Sequence, residues 1–178
     1  AFLMSVPGAP FIYYGDEIGM RYVENLTSVE GGYDRTGSRS PMQWDKTLNA
    51  GFSLASPEKL YIKQDECDDR PDAESQMADE NSLYNEIRKL ISIRRSHSAL
   101  GNNSEIEFIY AEKNEYPLAF IRSSEDEKIL VIINPADREV SFPCEYKPKE
   151  VVYSFGREIS YEDKKITVPP CSAGFYKV

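Results

Sequence analysis

Basic charge, cysteine, histidine and long apolar runs are what this chain has least of. Its 178 residues carry 21 Lys and Arg against 30 Asp and Glu, a formal net charge of −9. That balance excludes a general binder of phosphate backbones, which needs a clustered basic face. The longest aliphatic stretch, Ile129 to Ile133, falls far short of the ~18 residues that suggest a membrane span. Cys67, Cys144 and Cys171 are widely spaced, with no CxxC and no Cys/His cluster, so neither a metal framework nor a disulfide scaffold is expected. No phosphate-loop pattern follows Gly31-Gly32. The opening Ala1-Phe2-Leu3-Met4 has no basic n-region and does not read as a secretory signal. It reads as the tail of a helix already under way, so the chain is expected to be a piece of something longer, with reduced thiols and a cytoplasmic location.

Hydrophobic residues at 40% and aromatic residues at 12% are enough for a packed core and exclude a disordered acidic tail. Phe11-Ile12-Tyr13-Tyr14, after the turn signal Pro7-Gly8, predicts a strand buried on both faces over about Pro10 to Ile18. Residues 22–56 have little period and much Gly, Pro, Asn and Ser, a stretch of the kind that in compact domains is functional or disordered. The segment Asp65-Glu66-Cys67-Asp68-Asp69-Arg70-Pro71-Asp72 predicts a solvated acidic loop, and Arg70 occupies the place where a calcium loop starting at Asp65 needs Gly. Leu83, Ile87, Leu90 and Ile91 fall on one helical stripe. They predict a core-packing amphipathic helix between Asp79 and about Leu100, with Asp79 or Asn81 as cap and Arg94 and Arg95 at the negative end of its dipole. Beyond it, short β-favouring runs at 106–111, 118–122, 129–134, 139–142, 150–155, 165–168 and 174–178 alternate with turn residues. They predict an antiparallel sandwich of about 75 residues.

Two clusters carry candidate chemistry. Asp16-Glu17 follows the predicted strand, at the end where barrels place their active-site loops. Adjacent residues on an extended chain point to opposite sides, however, so both cannot face one substrate. The second cluster runs from Tyr33 through Asp34, Arg35, Arg39 and Gln43 to Trp44-Asp45 and holds the only Trp. Aromatic faces and forked donors suit sugar rings and hydroxyl pairs. An Arg–Asp ion pair that merely pins a long loop suits the same composition equally well. His97, at the end of the helix, reads as a C-terminal cap or an exposed residue.

Gly8-Ala9-Pro10-Phe11-Ile12-Tyr13-Tyr14-Gly15-Asp16-Glu17-Ile18-Gly19-Met20 resembles the eighth barrel strand of glycoside hydrolase family 13, the α-amylase family. Arg39-Ser40-Pro41-Met42-Gln43-Trp44-Asp45 with Asn49-Ala50-Gly51-Phe52-Ser53 is similar to a segment of its α-glucosidase, oligo-1,6-glucosidase and trehalose synthase branch. Asn81-Ser82-Leu83-Tyr84-Asn85 with Arg88-Lys89-Leu90-Ile91 and Arg94 resembles that branch's final barrel helix. Ser40 and Ala9 each stand where Thr is common.

The resemblance implies an α+β fragment: the last strand and helix of a (β/α)8 barrel over residues 1–103, followed by an antiparallel β-sandwich over 104–178. It implies part of a retaining enzyme acting on α-linked glucosides, with no cofactor and no metal. The family's catalytic carboxylates follow strands four, five and seven, so no catalytic residue is assigned here, and Asp16 and Glu17 are not put in those roles. Arg39 is implied to help close the pocket around the non-reducing end by pairing with an upstream Asp and binding sugar hydroxyls. Tyr33, Asp34 and Arg35 are weaker candidates for outer subsites. Expected partners are an α-glucoside or malto-oligosaccharide, and either the remaining barrel or a second copy meeting the strand near Phe11–Tyr14, with neither nucleic acid nor membrane. The alternative is a carbohydrate-binding or scaffolding sandwich without catalysis, for which Tyr110, Tyr116, Tyr146, Tyr153 and Tyr161 are available as platforms.

Overall fold

A computed structural model describes all residues, 1–178, as two units. One comprises Phe11–Arg88; the other combines Ala1–Pro10 with Lys89–Val178. Three α-helices occur, α1 (Phe2–Ser5), α2 (Ala73–Ala78) and α3 (Leu83–Ser96). None is long and apolar enough to cross a membrane. Eight strands follow: β1 (Glu105–Tyr110), β2 (Leu118–Ser123), β3 (Lys128–Asn134), β4 (Val140–Pro143), β5 (Glu150–Phe155), β6 (Ser160–Glu162), β7 (Lys165–Val168) and β8 (Ser172–Lys177).

The strands form two antiparallel sheets, ordered β1-β2-β3-β8-β5 and β4-β7-β6. Alternation decides which side chains meet. Ala119, Ile121, Leu130, Ile132 and Tyr176 turn to one side and enclose a core with Phe142, Ile166 and Val168 of the smaller sheet. Phe120, Val131, Phe175 and Tyr153 take the other side and are also buried. There the 3₁₀ turn Ser98–Leu100 lies against β2 and β3, and the Lys89 ammonium sits 5.3 Å from the centre of the Tyr153 ring. Because both faces of the central strands are covered, Ile129–Ile133 reads as a continuous apolar run rather than an alternation. Each large side chain buried this way contributes roughly 1.5–3 kcal/mol. The sequence offered no signal for β6. Its hairpin to β7 turns on Asp163-Lys164, both at positive φ (48° and 59°), without the Asn-Gly or Asp-Gly pair that marks such turns.

Two arginines tie the first ten residues to this unit. Arg122, fully buried, donates to the carbonyls of Ser5, Gly101 (2.6 Å), Glu105 (3.1 Å) and Ser104 (3.3 Å). Arg94 donates to the carbonyls of Met4 (3.0 Å), Val6 (2.8 Å) and Gly8 (2.6 Å) and to Asn102 Oδ1 (3.0 Å). Arg94 therefore serves the amino-terminal segment rather than the carbonyl end of its own helix. Burial, helped by the nearby positive charge of Arg94, pulls the Arg122 pKa down to about 10.

The helix region departs from expectation in several ways. Residues 73–78 form a separate short helix, capped by Asp72, whose carboxylate accepts from Ser75 N at 2.7 Å. Asp79 ends that helix, and Ser82 caps α3 by accepting from Asn85 N at 3.2 Å. Of the apolar stripe only Leu90 is buried, while Leu83 and Ile91 are exposed. The segment Phe11–Tyr14 forms no strand, and Phe11 is 87% exposed. A parallel strand exists only when neighbours accept its ladder, and no other strand of this unit lies beside it. His97 is neither helix cap nor free: the chain turns after Ser96 and brings Nδ1 to 2.7 Å from Glu127 Oε1, while Glu127 Oε2 accepts from Ala99 N at 3.2 Å.

Replacing Arg122 with Leu strands several carbonyls at about 1 kcal/mol or more each. We expect urea denaturation to show a loss of about 3 kcal/mol, with Lys intermediate because it keeps the charge but not the fork. Burial raises the Glu127 carboxyl pKa, but the bonds from His97 and Ala99 N outweigh it and hold the pKa below its ordinary value. A depressed carboxyl adds stability above its unfolded pKa and loses it as pH falls through the folded one. Glu127→Gln should therefore lower stability by about 1–2 kcal/mol at pH 7. The two proteins' denaturation midpoints should converge only as pH falls through the depressed folded pKa of Glu127, below the ordinary carboxyl range.

Candidate functional site

In the unit 11–88 the site is built mostly by backbone turns. Its apolar cluster is small: Ile18, Met42 and Ala73, with Met20 and Tyr84 against them. Residues 16–18 form a single 3₁₀ turn, in which Asp16 Oδ2 accepts from Tyr13 N (3.1 Å) and Glu17 Oε2 from Gly15 N (2.8 Å). Tyr14 Oη donates to the Ser40 carbonyl at 3.1 Å, joining the Gly8–Met20 segment to the Arg39–Asp45 segment. Burial and the neighbouring Tyr13 raise the Tyr14 pKa, and the nearby Arg39 charge opposes them.

The Arg39 segment begins with a 3₁₀ turn, Thr36–Arg39. Gly37 is required there by close approach: a Cβ would lie 2.3 Å from the Val23 carbonyl and 2.7 Å from the Tyr22 ring. Farther on, Asn49, Ala50 and Gly51 are consecutively left-handed, with φ of 52°, 53° and 71°. At Ala50 this costs roughly 1–2 kcal/mol. The turn is held because the Ala50 carbonyl accepts from Trp44 N (2.9 Å) and Asp45 N (3.3 Å), and the Asn49 carbonyl from Gln64 Nε2 (2.9 Å). The Asn49 side chain in turn donates to the Ser53 and Ala55 carbonyls, each at 2.8 Å. Trp44 is also fixed from the far side, its carbonyl accepting from Glu74 N of α2 at 2.9 Å.

These turns surround a cavity of about 460 Å³, within the range of small-molecule sites. Tyr14, Trp44, Phe52 and Tyr61 wall it, and Glu17 and Arg39 are its charged groups. Trp44, Phe52 and Tyr61 are each about half exposed. Of the residues singled out in the sequence, Arg39 lines this cavity. Tyr33, Asp34 and Arg35 do not: the Arg35 guanidinium lies 5.4 Å from the centre of the Tyr33 ring, and the Asp34 carbonyl accepts from Tyr22 Oη at 2.9 Å. The loop-pinning Arg–Asp ion pair does not form. Asp45 Oδ1 accepts instead from Thr47 N (2.8 Å) and Oγ1 (2.6 Å), bonds that lower its pKa. Glu17, set aside in the sequence together with Asp16, reaches the cavity because the 3₁₀ turn separates the two carboxylates. Tyr61 stands outside every motif, and nothing in the sequence marks it.

The acidic segment is only partly solvated. Asp65 is buried, pairing with Arg21 (3.4 Å) and accepting from Cys67 N (2.9 Å), and Asp72 is buried as the α2 cap. Among the tyrosines offered as platforms, Tyr153 is buried and Tyr161 packs on the sandwich core. Tyr110 and Tyr146 hydrogen-bond to Glu115 and Glu107, and Tyr116 is the one that stands exposed.

Comparison with known proteins identifies the family. The α-amylase catalytic domain profile matches residues 1–103, and that of the maltogenic amylase C-terminal domain matches residues 106–174. The chain belongs to the α-amylase family, glycoside hydrolase family 13, and its fold is a barrel end followed by that family's C-terminal antiparallel β domain. It is 35% identical to the trehalose synthase/amylase TreS of Mycobacterium tuberculosis over 78% of its length, and 28% identical to an oligo-1,6-glucosidase of Parageobacillus thermoglucosidasius over 99%. The crystal structure of trehalulose synthase MutB from Pseudomonas mesoacidophila superimposes with a TM-score of 0.82 at 25% identity, covering 99% of this chain and 36% of that one. The chain spans 23% of the length of TreS and 36% of the oligoglucosidase.

The Asn49–Gly51 turn yields a direct expectation. A Cβ at residue 51 would meet Asp45 Oδ2 at 2.5 Å, in a left-handed backbone. Gly51→Ala should destabilise the unit by about 2 kcal/mol and red-shift Trp44 emission as the turn behind it loosens.

Proposed function

We propose that the cavity formed by Arg39, Trp44 and their neighbours is a sugar-binding surface of an enzyme acting on α-linked glucosides. One observation carries this reading: the Arg39 fork lines a cavity walled by Tyr14, Trp44, Phe52 and Tyr61. Aromatic faces stack on the apolar side of a pyranose ring, and a guanidinium donates to adjacent hydroxyls as a planar fork. The relatives support the substrate class, being a trehalose synthase/amylase and an oligo-1,6-glucosidase. Arg39 at the cavity would hold the non-reducing end and favour exo-action.

The reaction in this reading is retaining. It needs two carboxyls about 5–5.5 Å apart on opposite sides of the scissile bond. Asp16 and Glu17 each fold back on a backbone N–H of their own turn, so catalysis draws its carboxylates from the preceding part of the barrel. The exposed segment Phe11–Tyr14 is where that part, or a second copy, would add strands. The enzyme would work in the cytoplasm.

Trp44 is the only tryptophan and lies in the cavity wall, so its fluorescence reports occupancy directly. Maltose should alter the emission saturably, and Arg39→Ala should weaken binding about tenfold, equivalent to about 1.4 kcal/mol. Equal affinity in the two proteins would remove Arg39 from the site. The chain alone should release no p-nitrophenol from p-nitrophenyl α-glucoside, whereas one extended through the full barrel should. Turnover by the chain alone would overturn the assignment of the carboxylates.

A further inference from the structure

The aromatic residues of the cavity wall are not held alike. Trp44 is gripped through its backbone from both sides, and Tyr14 Oη is tied to a main-chain carbonyl. Phe52 has no polar handle. Tyr61 is tied to a side chain: its phenol is hydrogen-bonded to the Glu30 carboxylate, which raises the Tyr61 pKa, while the Ser28 hydroxyl works in the opposite direction. Glu30 itself does not line the cavity.

The turn that carries Glu30 is braced, and it meets the wall twice. Ser28 and Gly31 exchange backbone hydrogen bonds of 2.9 and 3.0 Å. The Ser28 hydroxyl donates to the Gly31 carbonyl (3.0 Å) and accepts from Glu30 N (3.2 Å). From this turn Val29 N donates to the Tyr61 carbonyl at 3.0 Å, and Ser28 pairs with Ile62, another wall residue, in an antiparallel bridge. Main chain and side chain of Tyr61 are therefore both fixed from residues 28–31.

Tyr61 lies outside the apolar cluster of its unit and is about half exposed. A ring in that position populates several rotamers unless something restrains it. A ligand then has to immobilise it on binding, at a cost of roughly three- to tenfold in affinity. A ring already held avoids that cost. Resting on the sugar-binding reading of the cavity, we infer that Glu30 is a positioning residue: it holds the Tyr61 ring in the cavity wall and so prepares the wall for an α-glucoside without touching the ligand.

The test titrates maltose into the unsubstituted chain, Glu30→Ala, Glu30→Gln, Tyr61→Phe and the double variant Glu30→Ala/Tyr61→Phe, following Trp44 fluorescence. Glu30→Ala should weaken binding roughly three- to tenfold. Gln keeps an oxygen that accepts from the phenol, so Glu30→Gln should bind like the unsubstituted chain. Tyr61→Phe should lose about as much as Glu30→Ala. The double variant should lose no more than either single one, the non-additivity expected when two residues act through one hydrogen bond. Fluorine NMR of chains carrying 3-fluorotyrosine reads the ring itself. The resonance absent from Tyr61→Phe belongs to Tyr61, and Glu30→Ala should move it toward the position of the free amino acid. A resonance that Glu30→Ala leaves in place overturns the inference. So do additive losses in the double variant, a loss in Glu30→Gln as large as in Glu30→Ala, and unchanged maltose affinity in Glu30→Ala. Failure of the unsubstituted chain to bind maltose, with the resonance still moved by Glu30→Ala, overturns the sugar reading and leaves the positioning of Tyr61 standing.

Discussion

The Arg122 guanidinium, buried under the sandwich unit and held only by carbonyl oxygens, is the constraint on which that unit depends. A cation removed from water needs compensation, and here it comes from four backbone acceptors rather than a carboxylate. Those carbonyls belong to three places distant in sequence: Ser5, the turn at Gly101 and Ser104, and the start of β1 at Glu105. Satisfying one side chain therefore fixes the amino-terminal segment and the exit from α3 together. Arg94 repeats the device on the carbonyls of Met4, Val6 and Gly8. Apolar burial supplies most of the favourable free energy of the sandwich, while the two arginines decide what is attached to it.

The unit 11–88 is ordered differently. Its apolar cluster is small, and short-range polar contacts set its shape: carboxylates accepting from nearby N–H groups at Tyr13, Gly15, Cys67 and Ser75, and a left-handed turn at Asn49–Gly51. It carries local costs as well. Gln43 is buried with both amide atoms unpartnered, a burden of about 1–3 kcal/mol per group. Trp44, Phe52 and Tyr61 remain half exposed around the cavity. Phe11 and Tyr13, with no neighbouring strand to cover them, stand on the surface.

Membership of the α-amylase family rests on motifs that stand in one order along the chain, and the geometry gives each a local task. The Gly8–Met20 segment ends in the turn that presents Glu17. The Arg39–Asp45 segment presents Arg39 and Trp44, and the Asn49–Gly51 turn grips Trp44 from behind. Tyr14 bonding to the Ser40 carbonyl joins the first two. Glu17 and Arg39 are the charged groups in a wall that is otherwise apolar and aromatic.

Period and turn chemistry in the sequence were sufficient for seven of the eight strands and for the existence of α3, because alternation and helical spacing are properties of neighbouring residues. Arg39 and the aromatic character of its loop were likewise legible in local composition. Other features depended on residues far apart. Whether Phe11–Tyr14 becomes a strand depends on partners to complete its ladder, and no local pattern reports them. That Asp65 is buried, that His97 meets Glu127, and that Arg94 leaves its helix dipole for distant carbonyls all follow from which groups folding brings together. The separation of Glu17 from Asp16 came from a single 3₁₀ turn, and Tyr61 joined the cavity from outside every motif. The sequence by itself determined α3, most of the sandwich strands and the family; the tertiary structure decided which charges are paired and which line the cavity, because pairing is set by distance in space and not along the chain.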